Sequence, residues 1–427
     1  MNCFPPTVAS SIRAHRLQAL ALALLLSCAW HSGASSADAV SRYRIDYRVS
    51  LDPEAGGARI EMRLRQTGRF LREVDMRTLG GRLAEFEGDG ELSRSDDRVT
   101  WLPPSNGGTL RWFAKLSHRR NGDGYDAYIE DEWALFRFED LIPSADTRML
   151  RGTESDTHVT FALPRGWSIV TPYRGEDGRF TIANPERRFD TPTGWIVAGN
   201  LGVRIETISG VRVIVAGPVE HDLRRMDFLA LMHWTLPDLL RVLPRFPQRL
   251  TVVSAGEPMW RGALSAPQSL YLHADRPLLS GNATSTLLHE IVHIGVGLSG
   301  ERGADWIVEG LAEYYSLEVL RRSSTISEDR FRKAHRELAN WARDAEELCA
   351  RHSTGSGTAL AVTIMAELDA EIRKASGGRA SLDDVLQALG RHSGRISVGE
   401  VRALATKIAG STLKARRPAR LRGCDGA

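Results

Sequence analysis

The chain has 427 residues, of which 42% are hydrophobic and 26% charged. That is enough apolar material for more than one core and too much for a disordered chain. Lys and Arg total 56 against 53 Asp and Glu, a formal net charge of +3, which is too small over this length for a general nucleic-acid or anionic-membrane binder. No nucleic-acid partner is expected.

Arg13 and Arg16 precede an apolar run from Leu17 to Leu26, and small residues follow from Ser32 to Ala37. A basic start, an apolar core too short to span a bilayer and a small-residue cleavage zone make residues 1–37 a signal peptide, so the mature chain is expected in the bacterial periplasm or secreted. Leu25-Leu-Ser-Cys28 also resembles a lipoprotein cleavage box, the alternative in which Cys28 anchors the chain to the envelope. Membrane contact is expected only in that case, because no later segment has the length and apolarity of a membrane helix. After cleavage Cys349 and Cys424 remain, and an oxidising compartment permits either one bridge between them or two separate thiols.

Residues 38–217 carry strand periodicity: Tyr43, Ile45, Tyr47, Val49 and Leu51 alternate with polar residues, as do Ile60, Met62 and Leu64. Short runs at 110–116, 158–163, 194–199 and 211–216, separated by Gly, Pro and Asp, extend the pattern, and the spacing predicts a β-sandwich, with two sheets of unequal size. Past Pro218 the texture becomes mixed. An amphipathic helix is predicted over about 220–241, then strands at 249–254 and 269–273. Helices follow at about 283–295, 305–321, 327–348, 359–375, 381–391 and 397–408. The fold class is therefore multidomain α+β: an all-β part at 38–217, an α/β centre at 218–325, a helical part at 326–412 and a basic tail at 413–427.

The chemistry is concentrated in Thr284-Ser-Thr-Leu-Leu-His289-Glu290-Ile-Val-His293. Ser285 or Thr284 can cap a helix on which His289 and His293, four residues apart, share one face, a spacing that suits two imidazoles on one zinc ion. Glu290, beside the first ligand, can take a proton from water at the open coordination position. The next segment, Trp306-Ile-Val-Glu309-Gly310-Leu-Ala-Glu313-Tyr-Tyr315, reads as a second helix returning against the first. Glu309 is the expected third ligand, completing a two-His, one-Glu set with one position open. Glu313, one turn on, is placed to bond the free ring nitrogen of His289 or His293. Asp305 and Glu301 are the other available carboxylates. The metzincin pattern is excluded, because Ser299 stands where it needs a third His and Val296 where it needs Gly.

His289-Glu290-x-x-His293 followed by Trp306-Ile-Val-Glu309-Gly310-Leu-Ala-Glu-Tyr resembles the gluzincin metallopeptidases, in particular the glycyl aminopeptidase family and, more distantly, the alanyl aminopeptidases. Segments at 190–198, 368–373 and 377–384 are similar to the glycyl aminopeptidase group as well. The resemblance implies an N-terminal β-sandwich, a thermolysin-like zincin catalytic domain and a helical C-terminal domain. It also implies one zinc ion, peptide or protein substrates, and peptide-bond hydrolysis through a Glu-activated, zinc-bound water.

Three departures accompany it. The interval between His293 and Glu309 is short for alanyl aminopeptidases, implying a trimmed loop through 295–303. Where the exopeptidases carry a Glu that holds the substrate's free amine, Gly262-Ala-Leu-Ser265 has serine. Where the family places an oxyanion-stabilising Tyr, the matching region His352-Ser-Thr-Gly-Ser-Gly-Thr358 has none. His352 and Tyr315 are the residues that can replace that donor, while His273 and His392 read as structural or exposed. The expectation is an exported zinc peptidase; the alternative is a catalytically silent zinc protein whose β-sandwich and cleft bind a peptide or an envelope protein.

Overall fold

A computed structural model of the chain describes residues 41–410, apart from 121–123, 177, 185–188, 244 and 392–393. The signal-peptide region with Cys28, the basic tail with Cys424, and His392 lie outside the described residues. Cys349 is buried and disulfide-bonded.

The predicted alternation holds in the first strand, Ser41–Asp52, where Tyr43, Ile45, Tyr47, Val49 and Leu51 are buried and the residues between them are not. Each such fully buried aliphatic or aromatic side chain contributes about 1.5–3 kcal/mol of transfer free energy. That strand pairs antiparallel with Gly57–Arg65 and parallel with Thr153–Ala162 at the centre of a seven-stranded sheet.

Among the described residues three sheets, of seven, five and four strands, build the part before residue 200, rather than the two expected. The reason lies in the strands Trp133–Arg137 and Trp195–Gly199 of the five-stranded sheet, which are apolar on both faces. Ala134, Phe136, Ile196 and Ala198 pack into the first hydrophobic core. Trp133, Leu135, Trp195 and Val197 pack the other way, onto Ala216, Val253 and Tyr271 of the chain's second half. A sheet covered on both sides reads as a continuous apolar run and not as an alternation.

The second half is built on another five-stranded sheet: β1 (Leu201–Ile208), β2 (Val211–Pro218), β3 (Arg249–Val253), β4 (Ala263–Ala266) and β5 (Ser269–Leu272), in the order β1-β2-β3-β5-β4. Strands β2, β3 and β5 run parallel, with β4 antiparallel to β5 at the edge. Helix α1 (Arg225–Val242) makes the crossover from β2 to β3. Then come α2 (Thr286–Val296), α3 (Asp305–Arg322), α4 (Glu328–Trp341), α5 (Ser356–Ala375), α6 (Leu382–Leu389) and α7 (Val398–Ala409). Residues from Ile208 to Ala409 share one hydrophobic core, so these helices pack as one body with the sheet. Among the described residues no helix is long and apolar enough to cross a membrane.

Candidate metal centre

Helix α2 starts where the sequence places a cap: the Ser285 hydroxyl accepts the N–H of Leu288 at 3.3 Å. Its end is set by Gly297, whose left-handed φ of 62° lets the backbone turn while its N–H closes on the His293 carbonyl. Between these points Leu287, Leu288, Ile291, Val292, Gly295 and Val296 are buried. The other side of the helix holds His289, Glu290 and His293, half-buried and facing a cleft.

Helix α3 brings the carboxylates. It packs against α5 at Gly310, where a Cβ would lie 2.9 Å from that of Ala361 and 3.1 Å from its carbonyl, so the residue after Glu309 must be small. At the start of α2, the Ser316 hydroxyl donates to the Ser285 carbonyl at 3.2 Å and ties the two helices.

The result is a compact donor set. One oxygen of Glu309 is 3.3 Å from His289 Nε2 and the other is 3.4 Å from His293 Nε2. The two Nε2 atoms are 3.0 Å apart, and among the described residues His289, His293 and Glu309 form the only group of three or more that offers donor atoms within 4.8 Å of one another. Tetrahedral ligands at 2.0–2.1 Å from zinc stand roughly 3.3 Å apart, so the spacing fits that ion. Glu313 holds His289 Nδ1 at 2.9 Å, which leaves the Nε2 lone pair of a neutral ring for the ligand position.

Electrostatics in the metal-free state follow from the same contacts. Burial disfavours a charged His289, but Glu309 and Glu313 outweigh it and raise its pKa to about 10. Burial likewise opposes ionisation of Glu309, and the two imidazoles overcome it, holding the carboxyl well below the ordinary range. A cation is thus strongly favoured at this point.

Glu290 lines the cleft, and its Oε2 accepts the backbone N–H of Ser265 at 2.8 Å. The cleft is about 650 Å³, bounded by the edge strand β4, the Ile294–Gly300 segment and the start of α3, with Arg245 and Asp305 in its walls. Ser265 stands on β4 and also lines it. Neither the Ser265 N–H contact nor the parallel pairing of Leu298–Gly300 with Gly394–Ile396 is expected from the sequence.

The remaining sequence candidates fall elsewhere. His352 is exposed and does not line the cleft, although the next residue, Ser353, donates its N–H to Asp305 Oδ2 at 2.7 Å at the cleft wall. Tyr315 is wholly buried and donates its hydroxyl to Asp383 Oδ1 at 3.0 Å, away from the cleft. Asp305 is occupied by Ser353 and Glu301 is exposed, and neither joins the donor set. His273 is fully buried, with Nδ1 accepting the N–H of Asp275 at 3.2 Å.

No family sequence model matches the chain, and no curated protein matches it by sequence. Solved structures do match it by fold. An aminopeptidase N family protein from Idiomarina loihiensis superposes with a TM-score of 0.63 at 15% identity, over 81% of this chain and 70% of that one. A two-domain M1 zinc metallopeptidase mutant bound to L-tryptophan gives 0.57 at 13% identity, over 90% of this chain and 96% of that one. A mutant M1 zinc metallopeptidase from Deinococcus radiodurans gives 0.54 at 15% identity, with the same coverage. The chain has the fold of the M1 zinc metallopeptidases.

Proposed function

We propose that the protein is a zinc-dependent peptidase that acts on peptides or proteins outside the cytoplasm. The observation that carries this reading is the convergence of His289, His293 and Glu309 within a cleft that Glu290 also lines. Three protein ligands with one position left open is a catalytic arrangement and not a structural one. Zinc held there supplies a Lewis acid that polarises a carbonyl and makes water easier to deprotonate.

The other contributions come from the chain's own side chains. Glu290 takes a proton from the attacking water and delivers it to the leaving amine. The Ser265 N–H fixes one of its oxygens, so the carboxylate meets substrate already oriented. Glu313 keeps His289 in one tautomer and ring orientation. Strand β4 is a sheet edge, and an extended peptide can pair with an edge of that kind. Export rests on the signal-like residues 1–37, with anchoring through Cys28 as the variant form.

A second reading, a silent zinc protein that binds peptides in the cleft, draws on one observation: among the described residues lining the cleft there is no tyrosine, and the resemblance puts Ser265 where exopeptidases carry an amine-binding carboxylate. Digestion of an unbiased peptide mixture by the zinc-loaded mature chain, read by mass spectrometry beside Glu290→Gln, separates the two. Cleavage by the wild type alone supports the peptidase. No cleavage by either, with one zinc bound per chain, supports the silent protein.

A further inference from the structure

A second cavity, of about 690 Å³, opens between the seven-stranded sheet and the sheet of the second half, and it shares no lining residue with the metal cleft. Both halves of the chain build it. His158 and Thr181 are register partners on the strands Thr153–Ala162 and Arg179–Ile182. Arg212 and Arg249 are register partners on the parallel strands β2 and β3, so their side chains leave the same face one strand spacing apart, about 4.8 Å. Arg174 completes the wall from the turn before Arg179, where its carbonyl accepts the N–H of Thr181 at 3.1 Å.

The charges of the described residues in this cavity do not balance. Among the described residues four arginines line it against one carboxylate, Glu176. Arg179 reaches Asp46 at 3.4 Å, an aspartate that Arg44 also holds. Among the described residues Arg174, Arg212 and Arg249 have no carboxylate within ion-pair distance. Arg249 donates one hydrogen bond, to the Thr171 carbonyl at 3.3 Å, while its Nε is buried with no partner. His158 Nδ1 is likewise buried without a hydrogen bond, the nearest carboxylate oxygen, on Asp156, standing 3.5 Å away. Burial first, and then Arg212 and Arg174, push the Arg249 guanidinium down to about 10. Buried donors are ordinarily satisfied, and beside the Arg249 Nε stand the exposed guanidinium groups of Arg174 and Arg212, none of the three in an ion pair with a described residue, so the cavity presents a concentrated positive charge suited to an anion.

We infer that it binds a phosphate-bearing small molecule, gripped by Arg174, Arg212 and Arg249. The class follows from the donors. Each guanidinium presents a planar fork that matches phosphate oxygens, and two forks on neighbouring strands can share one phosphate group. A monocarboxylate satisfies a single fork and leaves the other cations unpaired. The cavity is large enough to take an organic body beyond the phosphate.

The test is titration calorimetry of the mature chain with inorganic pyrophosphate and inorganic phosphate at constant ionic strength, with acetate as the monoanion. Expected is saturable one-to-one binding of pyrophosphate that acetate does not reproduce. In Arg174→Ala/Arg212→Ala the affinity falls at least about tenfold, while Arg332→Ala, a remote exposed arginine, leaves it unchanged. Both replaced side chains are exposed, so the double variant keeps its fold, and an unchanged melting temperature without ligand checks that. Absence of saturation up to about 10 mM, equal binding of acetate, or full affinity in the double variant overturns the inference. Peptide hydrolysis is not the readout, so the result stands apart from the peptidase reading.

Discussion

The backbone N–H of Ser265 donates to Glu290 Oε2 at 2.8 Å, so main chain, and not a mutable side chain, orients the proposed base. Glu290→Gln can still accept that N–H through its amide oxygen, but it cannot take a proton. The expected result is a drop in kcat of about 10²–10⁴-fold with zinc content unchanged by metal analysis. Loss of zinc in this variant would place Glu290 among the ligands instead.

Because Ser265 stands where an amine-holding carboxylate is expected, a free substrate amino terminus has little to gain here. Peptides with acetylated amino termini should be cleaved about as well as free ones. Ser265→Glu should introduce a preference for the free amine of about 10–100-fold in kcat/KM, the worth of one charge-assisted hydrogen bond. Strong discrimination against acetylated peptides by the wild type would mean that another group, with Asp305 first in line, holds the amine.

Among the described residues of the metal group, Glu313 bonds His289, at Nδ1 and 2.9 Å. Glu313→Gln should therefore weaken zinc affinity by about 10–100-fold without abolishing stoichiometric binding, as measured by competition with a chromophoric chelator. An unchanged affinity would show that α3 packing alone fixes the His289 ring.

In the metal-free chain burial works against protonated His289, and Glu309 and Glu313 raise its pKa from 6.5 to about 10. The folded value exceeds the unfolded one, so the stabilisation from this ion pair is complete below about pH 6.5 and is lost as pH rises through about 10. Zinc takes the neutral ring, so binding near pH 8 must expel close to one proton per ion. Calorimetry in buffers of different ionisation enthalpy measures that number. Heats independent of buffer would mean that His289 is already neutral before zinc arrives.

The parts legible in the sequence are those governed by local rules. The His289 and His293 pair follows from helical spacing and Glu309 from the Trp-x-x-Glu-Gly pattern of the next segment; Ser285 caps its helix as expected, and the helices predicted from 327, 381 and 397 start at Ser327, Ser381 and Ser397, whose side chains cap them. Helix α5 begins at Ser356, three residues before the predicted start, because Ser, Gly and Thr are weak helix formers that tertiary packing overrides. Strand β4 escaped notice, since Ala-Leu-Ser-Ala is too short to show a period. The Leu298–Gly300 and Gly394–Ile396 pair joins segments about 95 residues apart in the chain, and no local pattern encodes such a register. The anchoring of Glu290 by a backbone N–H was invisible for a related reason: main-chain donors carry no residue-type signal. Gly310 is the opposite case, since a glycine inside a helix signals close approach and α5 supplies the neighbour.

Asp383 joins α6 to the far end of the ligand-bearing helix. Its Oδ1 accepts from the Tyr315 hydroxyl and from Arg322 Nη2, both at 3.0 Å, and its Oδ2 accepts from Arg322 Nη1 at 2.9 Å. Burial, and then the charge of Asp383, hold the Tyr315 phenol well above its ordinary pKa, so it stays a donor. Asp383→Ala strands a buried hydroxyl and removes the bidentate partner of Arg322, which retains Glu318 at 3.0 Å. The expected cost is about 2–4 kcal/mol, read from denaturant midpoints, and Asp383→Asn, which still accepts, should lose less. Zinc affinity should change little, because Glu309 and Glu313 occupy the opposite half of α3, fixed by the Gly310 contact with Ala361. A fall in zinc affinity matching the loss of stability would show instead that α3 shifts as one rigid body.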